Sequence, residues 1–412
     1  MRKPNKRWTL CGLLLLATII NYLDRQTISV SASRIAEELN LGDKHLGELF
    51  SAFLFAYGIG QVVLGPVLDR IGTVRAYAFA VAAWSIAGAA SGFATGFGFL
   101  LATRIALGLC ESPNWPLALR VVARSFPPGQ RVLATGIFQS GTSIGALIAP
   151  PIVIYLATTH GWRASFIAVG AVGFVWVALW LLWFRSQPDF KIDQVSAPDA
   201  PPETAVAEEP ATLSEIVRSR AFWGLAIATS FLNPLQYFYT TWIPRYFDKY
   251  AGVGFGTELA QRLIIVYLAL DVGLWSGGGL VAWLARRWDV RKARLLVTSV
   301  GAACMMTVPL VALARNIDVI TGLISLATFG LGWFMGNYLT FSAEVSRKRT
   351  STAVGLLGGI GSLAGAGFML LVGGSIEQSG SFSIAFLMAG VMPAVSLTGI
   401  FLGTRRVVSK AT

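Results

Sequence analysis

Long apolar segments recur twelve times along this chain and constrain its fold more than any other feature. A helix of roughly 20 mostly apolar residues is long enough to cross the hydrocarbon core of a bilayer. Only 13% of the residues are charged, whereas a soluble domain carries about 25%. The chain is therefore predicted to be an all-α integral membrane protein. The predicted spans are 8–30, 46–68, 74–93, 97–122, 131–156, 163–184, 220–246, 261–285, 293–314, 318–343, 352–376 and 381–404.

The longest polar segment, 185–219, divides the spans into two sets of six. It is rich in proline and acidic residues, a composition typical of a flexible linker. We therefore predict an N-terminal six-helix bundle over 1–184, a cytoplasmic linker, and a C-terminal six-helix bundle over 220–412. Glycine is concentrated in every third span, and repeats of three helices within two halves are typical of secondary transporters.

Glycines four residues apart form stripes in two spans, Gly141 with Gly145 and Gly361 with Gly365. Such stripes let helix backbones approach closely. They are interpreted either as ordinary helix packing or as surfaces along which the two halves move, and the sequence leaves both open.

The 33 Lys and Arg residues indicate how the spans are oriented. If the N-terminus is cytoplasmic, most of them fall in the two tails, the linker and the loops on that side. The loops of the other side carry Arg34, Lys44, Arg163, Arg245, Lys249, Arg262 and Arg315. Both termini are therefore predicted to be cytoplasmic, most simply in a bacterial inner membrane.

Four charged residues interrupt two of the spans: Asp24 and Arg25 in the first, and Arg104 and Glu111 in the fourth. A charge near the bilayer centre costs roughly 3 kcal/mol or more, so such residues indicate a functional site. Arg104 and Glu111 are seven residues apart and share one helix face. If the two helices meet, the four charges sum to zero, and protonating one carboxylate leaves a positive charge suited to an organic carboxylate. A fixed ion-pair network between the helices is the alternative.

Three sequence motifs carry a resemblance to known transporters. Residues 65–75, between spans 2 and 3, resemble the cytoplasmic loop signature of the major facilitator superfamily. Residues 21–25 and 104–116, with Tyr57 and Gln61, resemble the anion:cation symporter family, which includes hexuronate, galactonate and glucarate permeases and relatives of sialin and the vesicular glutamate transporters. The resemblance covers most of 8–185 and is weaker after 220. It implies the major facilitator fold, with twelve helices in two pseudo-symmetric halves.

The resemblance also implies roles for residues of the first half. Asp24 and Glu111 would carry protons, Arg25 would bind substrate, and Arg104 would bind substrate or act as a structural or coupling partner. Tyr22, Tyr57 and Gln61 would line the cavity, although each could instead form an interhelical hydrogen bond. Pro113 and Pro116 predict a bend in span 4 just after Glu111. Gln139 and Thr142 in span 5 are weaker candidates for contacts with sugar hydroxyls.

The second half offers fewer candidate residues. Pro234 and Pro244 predict that span 7 is a broken helix, a feature often found at substrate sites. Gln236 and Tyr237 in that span, and Asn337 in span 10, are therefore candidate substrate ligands. Asp271 lies within span 8 and has three possible roles, as a second proton or cation site, as a partner of Arg25, or as a hydrogen-bonding residue between helices.

A cytoplasmic gate is predicted at the loop between spans 2 and 3. Asp69 can pair with Arg70 or Arg75, and Glu344 lies beside a second basic cluster. The alternative is that these are simply the basic loops that set the orientation.

The sequence therefore predicts a secondary transporter that moves an organic carboxylate anion, such as a sugar acid, with protons by alternating access. An organophosphate/phosphate or other organic anion exchanger is the alternative, and a substrate sensor that does not transport is the candidate from another class. No enzyme, cofactor, metal site or nucleic-acid partner is predicted. The proton is the expected coupling ion, with sodium as the other option, and a monomer is expected.

Overall fold

The computed structural model describes residues 6–187, 192, 217–344 and 350–404, with the side chains of 62, 65–71, 128, 132, 343–344 and 350–353 excepted. All regular structure in these residues is helical. The helices are α1 Lys6–Glu38, α2 Asp43–Ile71, α3 Thr73–Ser91, α4 Phe97–Glu111, α5 Asn114–Ser125, α6 Pro128–His160, α7 Trp162–Arg185, α8 Arg220–Thr241, α9 Thr257–Leu284, α10 Val290–Met305, α11 Ile317–Glu344, α12 Thr350–Ser379 and α13 Ser383–Thr404. Shorter segments are an α-turn at Ile243–Arg245, a π-helix at Tyr246–Tyr250 and a 3₁₀-helix at Val308–Leu313.

These helices occupy all twelve predicted spans. Seven helical stretches of the described residues are long and apolar enough to cross a membrane by length and composition: Gly129–His160, Trp162–Arg185, Thr257–Leu284, Val290–Leu313, Ile317–Ser342, Val354–Ser379 and Ser383–Thr404. Span 4 is divided between α4 and α5, so neither piece alone is long enough. The all-α membrane architecture predicted from the sequence is confirmed.

The chain divides into two compact units. The first contains Met1–Leu39 and Phe55–Glu208, and the second contains Asn40–Leu54 and Glu209–Thr412. The segment that begins α2 is therefore grouped with the second unit, whereas the sequence assigns it to the first half.

In the first unit, α1 packs against α6 and α7, and α3 packs against α4 and α7. The glycine stripe of α6 faces α1. A Cβ atom added at Gly141 would lie 2.8 Å from the Leu15 carbonyl oxygen, and one at Gly145 would lie 2.7 Å from the Ile19 carbonyl oxygen and 2.9 Å from the Tyr22 Cβ. The absence of a side chain is what allows these two backbones to approach so closely.

In the second unit, α8 packs against α12 and α13, and α9 packs against α11. The glycine stripe of α12 faces α8, where a Cβ at Gly361 would clash with Asn233 Nδ2 and one at Gly365 would lie 2.6 Å from Tyr237 Cδ2. Both stripes therefore pack helices inside their own unit, as the ordinary packing interpretation predicts.

The two stripes contact α1 and α8 at matching positions along each helix. The second glycine of each stripe contacts a tyrosine, Tyr22 on α1 and Tyr237 on α8. Two residues further along these helices are Asp24 and Tyr239, and each is 1% exposed. A neutral side chain thus stands in the second unit at the position where the first unit carries a carboxyl group.

The broken helix predicted for span 7 is confirmed, although the break does not fall at Pro234. The helix α8 continues through Pro234 and ends at Thr241, so the break falls at Trp242, before the turn that contains Pro244. A membrane helix tolerates an internal proline when neighbouring helices pack around the carbonyl that loses its donor, and Pro234 is buried.

Candidate functional site

The break in span 4 positions Glu111. The helix α4 ends at Glu111, and Ser112 and Pro113 separate it from α5. Pro113 has no N–H to donate to the carbonyl of Leu109, and the Ser112 hydroxyl donates to that carbonyl instead at 2.8 Å. On the other side of the break, Tyr77 donates to Asn114 Oδ1 at 2.7 Å. The bend predicted from the two prolines is confirmed.

A buried ion pair joins the first span to the fourth. Arg25 Nε donates to Glu111 Oε2 at 2.7 Å, and the side chains of Arg25 and Glu111 are 13% and 0% exposed. The guanidinium carbon of Arg25 also lies 4.4 Å from the centre of the Tyr57 ring and 5.1 Å from that of Tyr22. Two aromatic faces and one carboxylate therefore hold this guanidinium group in place.

The remaining polar atoms around Glu111 are incompletely satisfied. Its Oε1 atom is buried without a hydrogen-bond partner. Asn21 lies beside Glu111, but neither polar atom of the Asn21 side chain reaches hydrogen-bonding geometry. Buried polar groups without partners are uncommon and mark places where a proton, an ion or a substrate can bind.

Arg104 is buried on the far side of the same cluster. It is 1% exposed, its Nη2 atom donates to Ser91 Oγ at 2.7 Å, and its guanidinium carbon lies 5.5 Å from the centre of the Phe166 ring. Its Nε atom has no hydrogen-bond partner. An arginine this deeply buried is shielded from solvent, unlike Arg25.

Asp24 is buried without any hydrogen-bond donor. It is 1% exposed, and both carboxyl oxygens lack a hydrogen-bond partner. Its charge interacts with those of Arg104 and Glu111. On α3, Gly88 lies beside Asp24, because a Cβ atom at Gly88 would lie 2.7 Å from Asp24 Oδ1. An ionised carboxylate without donors is costly to bury, so this geometry suits the neutral acid.

The structure thus brings all four predicted charges together within the first unit. Arg25 is the most accessible of the four, while Asp24, Arg104 and Glu111 are almost fully buried. Because the side chain of Arg25 remains partly accessible to solvent, it can exchange the carboxylate of Glu111 for that of another molecule. The buried carboxyl groups of Asp24 and Glu111 can gain and lose protons. The alternative, a fixed ion-pair network between the two helices, stays open, because the pair between Arg25 and Glu111 fits it as well.

The hydrogen bonds described above involve none of the other predicted substrate ligands of the first unit, which are Gln61, Gln139 and Thr142. Gln61 is half-buried with its Oε1 atom unpartnered. Gln139 and Thr142 are half-buried on α6. Their predicted roles in binding sugar hydroxyls remain predictions.

The predicted residues of the second unit do not form one cluster of charges. The hydroxyl of Tyr237 lies 3.3 Å from Ser362 Oγ, Gln236 is half-buried, and Asn337 Nδ2 donates to the carbonyl oxygen of Trp333 at 2.9 Å. Asp271 is buried, 5% exposed, on α9. Its three possible roles stay open.

The predicted cytoplasmic gate falls mostly outside the described side chains. This applies to Asp69, Arg70 and Glu344, whereas Arg75 is exposed on α3. The gate therefore remains a prediction.

Sequence reasoning missed two polar clusters near helix ends. Beyond the predicted span 8–30, Glu38 Oε2 accepts from Trp162 Nε1 at 2.6 Å and Oε1 pairs with Arg163. The hydrogen bond from Arg163 lowers the pKa of Glu38. In the second unit, Arg245 Nε donates to Asp43 Oδ1 at 3.0 Å and Tyr250 donates to Asp43 Oδ2 at 2.6 Å. Charges at span ends resemble ordinary surface charges, so the sequence carries no signal for these pairs.

Comparison with known proteins gives consistent similarities along the whole chain. The hexuronate transporter of Escherichia coli K12 is 32% identical over 403 residues, covering 95% of this chain and 92% of the relative. The galacturonate transporter of Dickeya chrysanthemi is 30% identical over 309 residues, covering 73% of this chain and 89% of the relative. The hexuronate transporter of Bacillus subtilis is 28% identical over 403 residues, covering 96% and 94%.

Solved structures agree on the fold. A bacterial homologue of the human lysosomal transporter Spinster matches with a TM-score of 0.73 at 20% identity, covering 97% of this chain and 95% of that one. A peptide transporter of the POT type matches with a TM-score of 0.72 at 15% identity, covering 95% and 93%. The family model for the Major Facilitator Superfamily matches residues 14–369. The chain therefore belongs to the Major Facilitator Superfamily, a family of membrane transporters rather than enzymes.

Proposed function

We propose that this chain transports a sugar-acid anion together with protons, by alternating access. The observation that carries the proposal is the pair between Arg25 and Glu111, in which a buried carboxylate occupies a partly accessible arginine at 2.7 Å. A carboxylate that holds the arginine in the absence of substrate can be replaced by the carboxylate of a substrate. Three similar proteins are named as transporters of hexuronates or galacturonate, which supports a sugar acid as that substrate.

Competition for Arg25 supplies the coupling. When Glu111 is ionised, it accepts the hydrogen bond of Arg25 and excludes an anion. When Glu111 takes up a proton, the pair weakens and the guanidinium group becomes available to the substrate carboxylate. The planar fork of an arginine binds a carboxylate through two parallel hydrogen bonds, and the rings of Tyr22 and Tyr57 keep its plane oriented.

Charge neutrality decides when the cavity can close. With a proton and an anion both bound, the cluster of Asp24, Arg25, Arg104 and Glu111 and its substrate can be neutral overall. If only one of the two is bound, a charge remains unpaired as water leaves, and an unpaired buried charge is costly. The second carboxyl group, Asp24, offers a further proton site beside Arg104.

Other features of the proposal follow from the sequence and the relatives. Gln139, Thr142, Gln236, Tyr237 and Asn337 would supply hydrogen bonds to sugar hydroxyls. The chain would act as a monomer in a bacterial inner membrane with both termini in the cytoplasm, as the distribution of basic residues indicates.

Uptake into proteoliposomes tests the proposal. Purified protein is reconstituted and offered labelled galacturonate or glucuronate, with an inward proton gradient, a sodium gradient or neither. We expect accumulation only with the proton gradient and its loss on addition of a protonophore. Accumulation driven by a sodium gradient would identify sodium as the coupling ion in place of the proton. One-for-one exchange that does not depend on pH would identify an anion exchanger. Binding without any uptake would identify a sensor.

The matched variant Arg25→Lys checks the substrate arginine. It keeps the positive charge but cannot offer two parallel hydrogen bonds from one plane. We expect its KM for galacturonate to rise at least tenfold while the protein remains folded. An unchanged KM would remove Arg25 from the substrate site.

A further inference from the structure

We propose that Ser91 is a positioning residue that holds Arg104 away from Asp24, so that Arg104 alternates between the Ser91 hydroxyl and the Asp24 carboxylate as Asp24 loses its proton. The inference rests on the proposed function, because it assumes that protonation of the cluster is part of the transport cycle. It assigns a role to α3, a helix that contributes no charged residue to the site.

A directed chain of hydrogen bonds makes Ser91 an acceptor for Arg104. Arg104 Nη2 donates to Ser91 Oγ at 2.7 Å. The single hydroxyl hydrogen of Ser91 has two acceptors within reach, Thr103 Oγ1 at 3.0 Å and the Ala87 carbonyl oxygen at 3.1 Å. The Thr103 hydroxyl donates to the Leu100 carbonyl oxygen at 2.8 Å. With either acceptor, the Ser91 hydrogen points away from Arg104, so the oxygen of Ser91 is left to accept from the guanidinium group. Hydrogen bonds in such chains strengthen one another.

Asp24 is the other acceptor that Arg104 could use. Its charge interacts with that of Arg104, yet neither carboxyl oxygen accepts a hydrogen bond. Arg104 Nε has no partner either. An arginine and a carboxyl group that are neighbours and both unsatisfied would pair if the carboxyl group were ionised. The observed arrangement, with Arg104 on Ser91, is the one that a neutral Asp24 allows.

The neighbouring helices leave few other partners for this pair. Charged residues that interact with Asp24 are Arg104 and Glu111, both from α4. From α3, the groups facing the pair are Gly88 beside Asp24 and Ser91 beside Arg104. From α7, Phe166 covers the guanidinium group, and Val169 packs near Leu23 with Ala149 of α6. Arg25, next to Asp24 on α1, is engaged with Glu111.

Gly88 provides the space that Asp24 needs in either state. A Cβ atom at this position would lie 2.7 Å from Asp24 Oδ1 and 3.4 Å from Asp24 Cγ. A methyl group there would push the carboxyl group out of its present position. The pattern Gly88-x-x-Ser91 therefore places one residue that makes room for the acid and one that binds the arginine on neighbouring turns of the same helix.

The test is the pH profile of uptake by Ser91→Ala. Without the hydroxyl, Arg104 has Asp24 as its main remaining acceptor and stabilises the ionised carboxylate. We expect the pH of half-maximal galacturonate uptake to fall by about one unit, which corresponds to a tenfold change in proton binding. Ser91→Thr keeps the hydroxyl and should restore the wild-type profile.

Ser85 provides a matched control on the same helix. It is fully buried, and its hydroxyl has no hydrogen-bond partner, so Ser85→Ala removes the same atom without removing a contact to an arginine. We expect its pH profile to match that of the wild type. If Ser91→Ala does not fold, as judged by thermal unfolding in detergent, Ser91→Cys replaces the oxygen with a weak acceptor of similar shape and should give a shift in the same direction.

The outcomes separate this inference from the proposed function. If wild-type uptake does not respond to a proton gradient, the proposed function itself fails. If the wild type responds but Ser91→Ala follows the wild-type profile, the alternation of Arg104 is refuted while the proposed function stands. A shift that Ser91→Thr fails to restore, or that Ser85→Ala reproduces, also overturns the role of the Ser91 hydroxyl.

Discussion

The substitution Glu111→Gln separates binding from coupling. Arg25 Nε and Glu111 Oε2 are 2.7 Å apart, and Glu111 is fully buried. The amide keeps an oxygen acceptor of the same size but removes the charge and the proton. Hydrogen bonds with charged partners contribute about 1.5–3 kcal/mol and neutral ones about 0.5–1.5 kcal/mol. The variant should therefore hold Arg25 less tightly by about 1–1.5 kcal/mol.

That difference predicts two opposite changes. Because each 1.4 kcal/mol corresponds to a factor of ten, the variant should bind galacturonate roughly tenfold more tightly at neutral pH. It should at the same time lose accumulation driven by a proton gradient, since no proton is exchanged at this position. Counterflow, which exchanges labelled for unlabelled substrate without a gradient, should persist.

Three measurements check these changes. Isothermal titration gives the affinity, uptake with and without a proton gradient gives the coupling, and counterflow gives the residual transport. Glu38→Gln is the matched control, because it removes a carboxylate that pairs with Arg163 at the end of α1, away from the charge cluster. If Glu111→Gln still concentrates substrate, or binds it more weakly than the wild type, the competition for Arg25 is refuted.

Three further predictions concern packing and ion pairs. Gly145→Ala places a Cβ atom 2.7 Å from a backbone oxygen of α1 and should lower the free energy of unfolding by about 1–3 kcal/mol. In the control Gly136→Ala, on the same helix, the new Cβ atom meets no atom within 4 Å, so this variant should be neutral or stabilising. Equal shifts of the unfolding temperature in the two variants would refute the close packing of α6 against α1. Asp43→Ala removes the carboxylate that pairs with Arg245, which is only 5% exposed. It should lower the free energy of unfolding by about 3–5 kcal/mol, and an unchanged unfolding temperature would contradict this prediction. The pKa of Glu38 is lowered by Arg163, so this pair stabilises the fold at neutral pH by less than about 1 kcal/mol. That contribution should disappear as the pH falls through the lowered pKa, and the unfolding temperatures of wild type and Glu38→Gln should then converge.

The charge cluster was predictable from the sequence because it depends on residue type alone, not on how the helices pack. Charges at Asp24, Arg25, Arg104 and Glu111 stand out within apolar segments, and few explanations exist for them. The bend after Glu111 was predictable for a similar reason, since proline removes a donor wherever it occurs.

The residues around the cluster were not predictable in the same way. Gly88 and Ser91 belong to a helix rich in small residues, and nothing in the sequence distinguishes those that pack helices from those that face a charged group. The sequence predicted that span 7 is broken but not at which residue, because tertiary packing, which the sequence does not state, decides whether a proline such as Pro234 ends a membrane helix.

The matching glycine stripes on α6 and α12 suggest how this architecture can change its cargo. In both units the second glycine of the stripe contacts a tyrosine, yet two residues further along the helix the first unit has the carboxyl group of Asp24 and the second has the phenol of Tyr239. At this position the second unit therefore carries no charge to balance, and its electrostatic constraint there is weaker. Under the proposed function, we therefore expect substitutions along α8 to change which compound is carried and to leave coupling to protons intact.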